Sequence, residues 1–287
     1  MGPRQPVSET VASDRPTLVV TGAGRGLGAA IAAAGVEAGW RVGVLDRDGN
    51  AADQVAESLG RGTVALDADT TDEGSVEDAL DRFGDATGQA APDGVVCNAG
   101  IVRFAPLMDL TSADWRTVVD VNLTGTFLTA RAAARRAIAA DRPASIVTVT
   151  SMNGVAPGPN AGAYGATKAG VARMTQQMAL EWGPLGIRSN AVAPGLIDAG
   201  MSESIYADPD IRRRRSDRVP LRRLGTADEV ASVVLFLLSD RAGYVNGAEL
   251  LVDGGVTMSI IATLPRPESV DTVGMPGDAD PAEGAGR

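Results

Sequence analysis

Short runs of β-branched and aliphatic residues alternate along the chain with longer stretches in which apolar residues recur every three or four positions. TLVVTGAG (17–24) is a strand-like run ending in glycines, and LGAAIAAAGVEAG (27–39) follows with helical spacing and a closing glycine. RVGVLD (41–46), TVALDAD (63–69) and GVVCNAG (94–100) read as further buried strands. AADQVAESLG (51–60) and SVEDALDRFGDAT (75–87) are the helices between them. The alternation continues with one long helix over 113–140, the strand SIVTVTS (145–151), a helix over 164–183 and the strand IRSNAVAPG (187–195). A polar, Arg-rich stretch (198–223), the helix ADEVASVVLFLLSD (227–240) and the strand AELLVDGG (248–255) complete it.

Strands that alternate with helices predict a parallel sheet covered on both faces. The expected fold class is therefore α/β, a Rossmann-type doubly wound sheet of about seven strands. The chain has 287 residues, enough for one large domain or two small ones, and a single unbroken alternation favours one. Residues 16–255 are the expected domain, with 1–15 a flexible lead and 256–287 a largely mobile extension rich in Pro, Gly and Asp.

Composition narrows the chemistry. A net charge of −10 argues against nucleic acid or an anionic membrane as partner. The longest strongly apolar run, VASVVLFLL (230–238), is too short to span a bilayer. The lone Cys97 excludes an internal disulfide and fits a reducing, cytoplasmic setting. With no histidine, His-based metal sites and Ser–His–Asp triads are excluded, and no metal site is expected. Proton transfer near neutral pH then falls to Tyr, Lys, Asp, Glu, Cys or water.

TGAGRGLG (21–28) lies between the first strand and the first helix. Glycines there permit a tight turn, and a helix N-terminus offers free N–H groups to a pyrophosphate. Asp46, about 20 positions on, suits both ribose hydroxyls of NAD and repels a 2′-phosphate. Arg25 and Arg47 pull toward NADP, since either could pair with that phosphate. NAD is the expected cofactor, with NADP possible.

One lysine, Lys168, stands among 25 arginines, four residues after Tyr164. A phenol with an unperturbed pKa of about 10 is a poor base at neutral pH, and a cation one helical turn away favours its phenolate. Lysine is a compact charge with three rotatable donors, whereas arginine is a planar fork, so the swap should fail at this position. On the sequence alone, Lys168→Arg should cost activity and spare the fold.

Taken together, TGAGRGLG, DADT (67–70), CNAG (97–100), VNLTG (121–125), Ser151 thirteen positions before Tyr164, the Y-x-x-x-K of Tyr164 and Lys168, PG (194–195) and LLVDGG resemble the classical short-chain dehydrogenase/reductase family over about residues 16–255. The resemblance implies Tyr164 as general acid/base, Ser151 holding the same oxygen, Lys168 on the nicotinamide ribose and Asn122 in a water-mediated proton relay. It further implies Gly22, Arg25, Gly26, Leu27 and Gly28 at the cofactor's phosphates and Asp46 and Arg47 at the adenosine ribose. Asp69 and Thr70 would border the adenine, Asn98, Ala99 and Gly100 the adenosine-ribose side, and Pro194, Gly195 and Ile197 the nicotinamide.

The implied activity is NAD(H)-dependent interconversion of a secondary alcohol and a ketone by hydride transfer, with a small-molecule substrate and a homotetrameric assembly. An NADPH-dependent ketoreductase of the 3-oxoacyl reductase type is the alternative, and a non-catalytic dinucleotide-binding protein has no need of Ser151, Tyr164 and Lys168 together. Two positions depart from the family: Cys97 replaces a frequent asparagine, and Ala199 stands where many members have a threonine. IRRRRSDR (211–218) falls in the substrate-covering stretch, where a solvated helix accounts for it more simply than an anionic substrate does.

Overall fold

A computed structural model of the chain describes residues 15–60 and 62–259. Residues 1–14 of the expected lead and 260–287 of the expected extension lie outside the described residues. β1 (Thr17–Thr21), β2 (Arg41–Asp46), β3 (Val64–Asp67), β4 (Gly94–Cys97), β5 (Ala144–Val149), β6 (Ile187–Pro194) and β7 (Glu249–Val252) form one sheet. Its order is β3-β2-β1-β4-β5-β6-β7, and neighbouring strands pair in parallel.

Alternate residues of β1 serve opposite faces, because successive side chains of a strand point to opposite sides. Leu18 and Val20 join the core with Ile31, Val36, Val230 and Leu237, while Val19 joins the one with Leu66, Phe83, Ile146 and Met178. The first core is covered by α1 (Gly26–Glu37), α2 (Gly49–Leu59) and α10 (Ala227–Leu238). The second is covered by α3 (Glu73–Thr87), α5 (Gly125–Ala139) and α7 (Tyr164–Trp182). Two covered faces make the strands read as continuous apolar runs. Each fully buried Val, Leu or Ile contributes roughly 1.5–3 kcal/mol relative to exposure.

The expected long helix over 113–140 is interrupted. α4 (Ser112–Val119) passes into a π-helical turn, Asp120–Thr124, before α5 begins. The widened turn, closed by the Gly125 N–H on the Asp120 carbonyl, holds Asn122 with its side chain fully buried. The Arg-rich stretch is also more ordered than its pattern suggests. It holds α8 (Glu203–Tyr206), after the single 3₁₀ turn Gly200–Ser202, and α9 (Pro209–Ser216), capped by Asp208. A short α6 (Met152–Val155) leaves the end of β5 under the Ser151 cap.

Candidate active site

Strand order reverses between β1 and β4, so their C-terminal ends open a crevice of the kind in which α/β sheets bind ligands. Thr21 and Asn98 fasten its floor. The Thr21 hydroxyl accepts from the Asn98 and Ala99 N–H groups at 3.0 and 3.1 Å, and Asn98 Nδ2 donates to the Thr21 and Gly22 carbonyls at 3.0 and 3.1 Å. Above this floor the loop folds back so tightly that a Cβ on Gly28 would sit 2.2 Å from the Gly22 carbonyl oxygen. Gly22 and Gly26 have φ of +62° and +56°, a region that side chains disfavour.

α1 then starts from Arg25 without a side-chain cap, whereas Asp48, Asp72 and Thr111 cap α2, α3 and α4. Its leading N–H groups, left without a side-chain acceptor at the positive end of a helix dipole, suit an anion. A glycine-only cradle followed by an uncapped helix fits a dinucleotide pyrophosphate. Asp46, at the end of β2, accepts from Gly24 N at 2.9 Å through Oδ2 and from Asp48 N at 3.0 Å through Oδ1.

A cleft of about 1170 Å³ opens from this loop. Its lining includes Gly22, Arg25, Gly26, Leu27, Gly28, Asp46, Arg47, Asp69, Thr70, Asn98, Ala99 and Gly100. Ser151, Tyr164, Lys168, Pro194, Gly195 and Ile197 line it as well. Of the residues that the resemblance assigns to catalysis or cofactor binding, Asn122 alone is missing from the lining. It lies fully buried behind Gly100: Oδ1 accepts from Ile101 N at 2.8 Å, and Nδ2 donates to Ile101 O at 2.9 Å and Thr167 Oγ1 at 3.2 Å. Its side chain fixes the chain leaving β4.

Ser151 ends the stretch after β5 and caps α6, its Oγ accepting from Asn153 N at 3.1 Å. Tyr164 and Lys168 occupy the first turns of α7, with the Lys168 ammonium 5.6 Å from the Tyr164 ring centroid. Lys168 is only 3% exposed, and its Nζ donates to the Val149 carbonyl at 2.7 Å. Burial lowers its pKa to about 8, with Cys97 opposing weakly. Burial also raises the Tyr164 pKa, against a hydrogen bond with Ser151 that lowers it. Desolvation is thus the largest influence on the phenol here, and the ammonium that the sequence places one helical turn away is engaged by the Val149 carbonyl.

Cys97 is a buried filler. It is 2% exposed, and burial pushes its thiol pKa up to about 12, far from any thiolate chemistry. Among the described residues no group of His, Cys, Asp and Glu is arranged to hold a metal ion. No helix among them is long and apolar enough to cross a membrane.

Tyr206 escaped the sequence reading. It lies buried on the cleft beside Met201 and Ile205, and Arg214, Arg215 and Arg218 of the charge run reach the same lining. The signal was faint: one of three tyrosines, in a segment with no apolar periodicity.

Residues 22–257 match the family model described as enoyl-(acyl carrier protein) reductase. The chain belongs to the short-chain dehydrogenase/reductase family. It is an oxidoreductase acting on CH–OH groups with NAD(P). A cis-4-hydroxycyclohexanecarboxylate dehydrogenase of Sinomonas cyclohexanicum is 42% identical over 243 residues, covering 83% of this chain and 95% of the relative. The 2-(S)-hydroxypropyl-CoM dehydrogenase 3 of Xanthobacter autotrophicus is 35% identical over 247 residues, covering 84% and 96%. An Agrobacterium tumefaciens structure with bound NADP is 36% identical, covers 87% of this chain and 100% of its own, and has a TM-score of 0.76.

Proposed function

We propose that this dehydrogenase interconverts a secondary alcohol and a ketone with NAD(H). The convergence of Ser151, Tyr164 and Lys168 on the cleft that carries the glycine loop supports the reading most strongly. The relatives named above are dehydrogenases of hydroxy compounds and point the same way. The 3-oxoacyl reductase alternative has less support.

The chain's own residues divide the work. The nicotinamide, when bound, accepts or supplies the hydride. Tyr164 takes the hydroxyl proton in oxidation and returns one to the carbonyl oxygen in reduction. Ser151, whose Oγ accepts from the Asn153 N–H, donates its own O–H to the same oxygen and holds it. Lys168 keeps a positive charge beside Tyr164 and donates to the nicotinamide ribose. Asn122 acts as a positioning residue, clamping Ile101 so that Gly100 leaves room for the cofactor.

Gly22, Arg25, Gly26, Leu27 and Gly28 hold the pyrophosphate, and Asp46 with Arg47 meets the adenosine ribose. Asp69 and Thr70 flank the adenine, Asn98, Ala99 and Gly100 the adjacent ribose, and Pro194, Gly195 and Ile197 the nicotinamide. Ala199 offers no hydroxyl to that end.

NAD should be preferred over NADP, because the Asp46 carboxylate meets a 2′-phosphate with like charge. The competing observation is that Arg25 and Arg47 line the cleft beside it. Titration of both cofactors checks the preference: Asp46→Ala should narrow the gap by about tenfold, close to 1.4 kcal/mol. A parent protein that favours NADP tenfold or more would place the ribose elsewhere.

The assembly we propose is a homotetramer in the cytoplasm, paired through α5 and α7. Exposed Phe127 and Ile138 on α5 and Leu180 on α7 are apolar surface that a partner helix would cover. Light scattering at micromolar concentration should give a tetramer, and a stable monomer would contradict it.

A further inference from the structure

The charge run over α9 and the turn after it divides into two sets. Arg212 pairs with Asp198, and Arg213 pairs with Asp210 at 2.9 Å. Arg214, Arg215 and Arg218 have no carboxylate within salt-bridge distance among the described residues, and all three line the cleft. Like charges held close on one short segment repel unless something neutralises them. The surplus is local, since the chain as a whole carries a net charge of −10.

A second, independent feature lies beside them. The Tyr206 ring, from α8, sits 5.7 Å from the Arg215 guanidinium and is 4% exposed. Its hydroxyl is buried with no hydrogen-bond partner among the described residues, and the residue lines the same cleft. A buried donor left unpaired costs about 1–3 kcal/mol. Glu203 is the carboxylate on α8 that shares this lining, and its Oε1 accepts from the Gly200 N–H at 2.7 Å.

We propose that this end of the cleft is an oxyanion subsite, in which Arg214, Arg215, Arg218 and the Tyr206 hydroxyl hold a carboxylate or phosphate carried by the substrate. Arginine forks match both groups with paired, charge-assisted hydrogen bonds, and the tyrosine supplies one further donor. The alcohol or ketone end of the same molecule is thereby directed toward Ser151 and Tyr164. The proposal rests on the dehydrogenase reading above and narrows its substrate class to hydroxy acids, keto acids or their phosphorylated counterparts.

The test uses the full chain with NAD and matched probes: 3-hydroxybutyrate, 5-hydroxyhexanoate and 4-hydroxycyclohexanecarboxylate, each against its methyl ester. Dihydroxyacetone phosphate against dihydroxyacetone, with NADH, is the phosphate arm. At least one anion should exceed its neutral partner in kcat/KM by about tenfold or more, a difference expressed mainly in KM. The pair that shows it identifies the carboxylate or the phosphate as the source.

In Arg214→Gln/Arg215→Gln/Arg218→Gln that preference should fall to about one. Tyr206→Phe should reduce it several-fold without lowering the melting temperature. Thermal shift by the same anions gives a readout independent of turnover: Tyr164→Phe should keep the shift, and the triple variant should lose it. Parent protein with no anion preference and no anion-induced shift would overturn the subsite. So would a triple variant whose only defect is a raised KM for NAD. If the anions bind through these arginines and no alcohol or ketone turns over, the dehydrogenase reading fails and the subsite stands.

Discussion

Tyr164→Phe is expected to lower turnover of secondary alcohols and ketones by about 10²–10⁴-fold, the range associated with losing a positioned acid or base. The substitution keeps the ring that lies beside the Lys168 ammonium and removes the one O–H that the mechanism exchanges. Cofactor affinity should therefore change little, as should the melting temperature. Turnover under saturating NAD, cofactor titration by fluorescence and a thermal melt check all three. Retained turnover would remove Tyr164 from the chemistry, whereas lost cofactor binding would show that the ring serves the pocket.

Lys168→Arg should be nearly as damaging to turnover, by about two orders of magnitude or more, because the planar fork cannot reproduce the contacts of a compact ammonium. The structure adds a cost that the sequence reading missed. Lys168 is 3% exposed, its Nζ is held by the Val149 carbonyl, and the nearest atoms to an added group on Gly100 and Gly154 include those of Lys168 itself. Inserting a larger head group into so full a space costs about 1–3 kcal/mol, so the melt should fall as well. Lys168→Met separates the two effects: it fills the stem's volume without the charge, and should lose turnover while melting closer to the parent. An arginine variant with near-parental turnover would remove the lysine from the mechanism.

What could be read in the sequence follows from how local each signal is. The strands were legible because both faces of the sheet are covered, which leaves β1, β4 and β5 as buried runs of mostly aliphatic and β-branched residues with no charge among them. The glycine turn was legible because a backbone demand, the 2.2 Å approach at Gly28, leaves a fixed residue type behind. Ser151, Tyr164 and Lys168 were legible by spacing, since one helical turn and one short loop bring them together.

Other features depend on what packs against the residue. Asp120–Thr124 has ordinary helical composition, and its π turn serves the burial of Asn122 against Ile101, a contact made by chain distant in sequence. The raised pKa of Tyr164 and the lowered one of Lys168 arise from desolvation that no spacing encodes. The arginine run read as a solvated face because its neighbours gave no apolar rhythm. Only the fold brings Arg214, Arg215 and Arg218 to the cleft lining and sets the Tyr206 ring beneath Arg215.

The most direct test of the account is the pH dependence of kcat/KM for alcohol oxidation, set beside that for ketone reduction, in the parent and in Tyr164→Phe. Oxidation needs the phenolate, and burial holds the Tyr164 pKa above the ordinary phenol value of about 10. Below that value the phenolate fraction grows about tenfold per pH unit, so oxidation should climb steadily from neutral pH. Deprotonation of Lys168 near pH 8 should level the climb. Reduction needs the protonated phenol and should stay level at neutral pH, then decline as the ammonium is lost. In Tyr164→Phe the residual oxidation should lose its rise with pH. An oxidation profile that rises identically in parent and variant would contradict Tyr164 as the group that moves the proton.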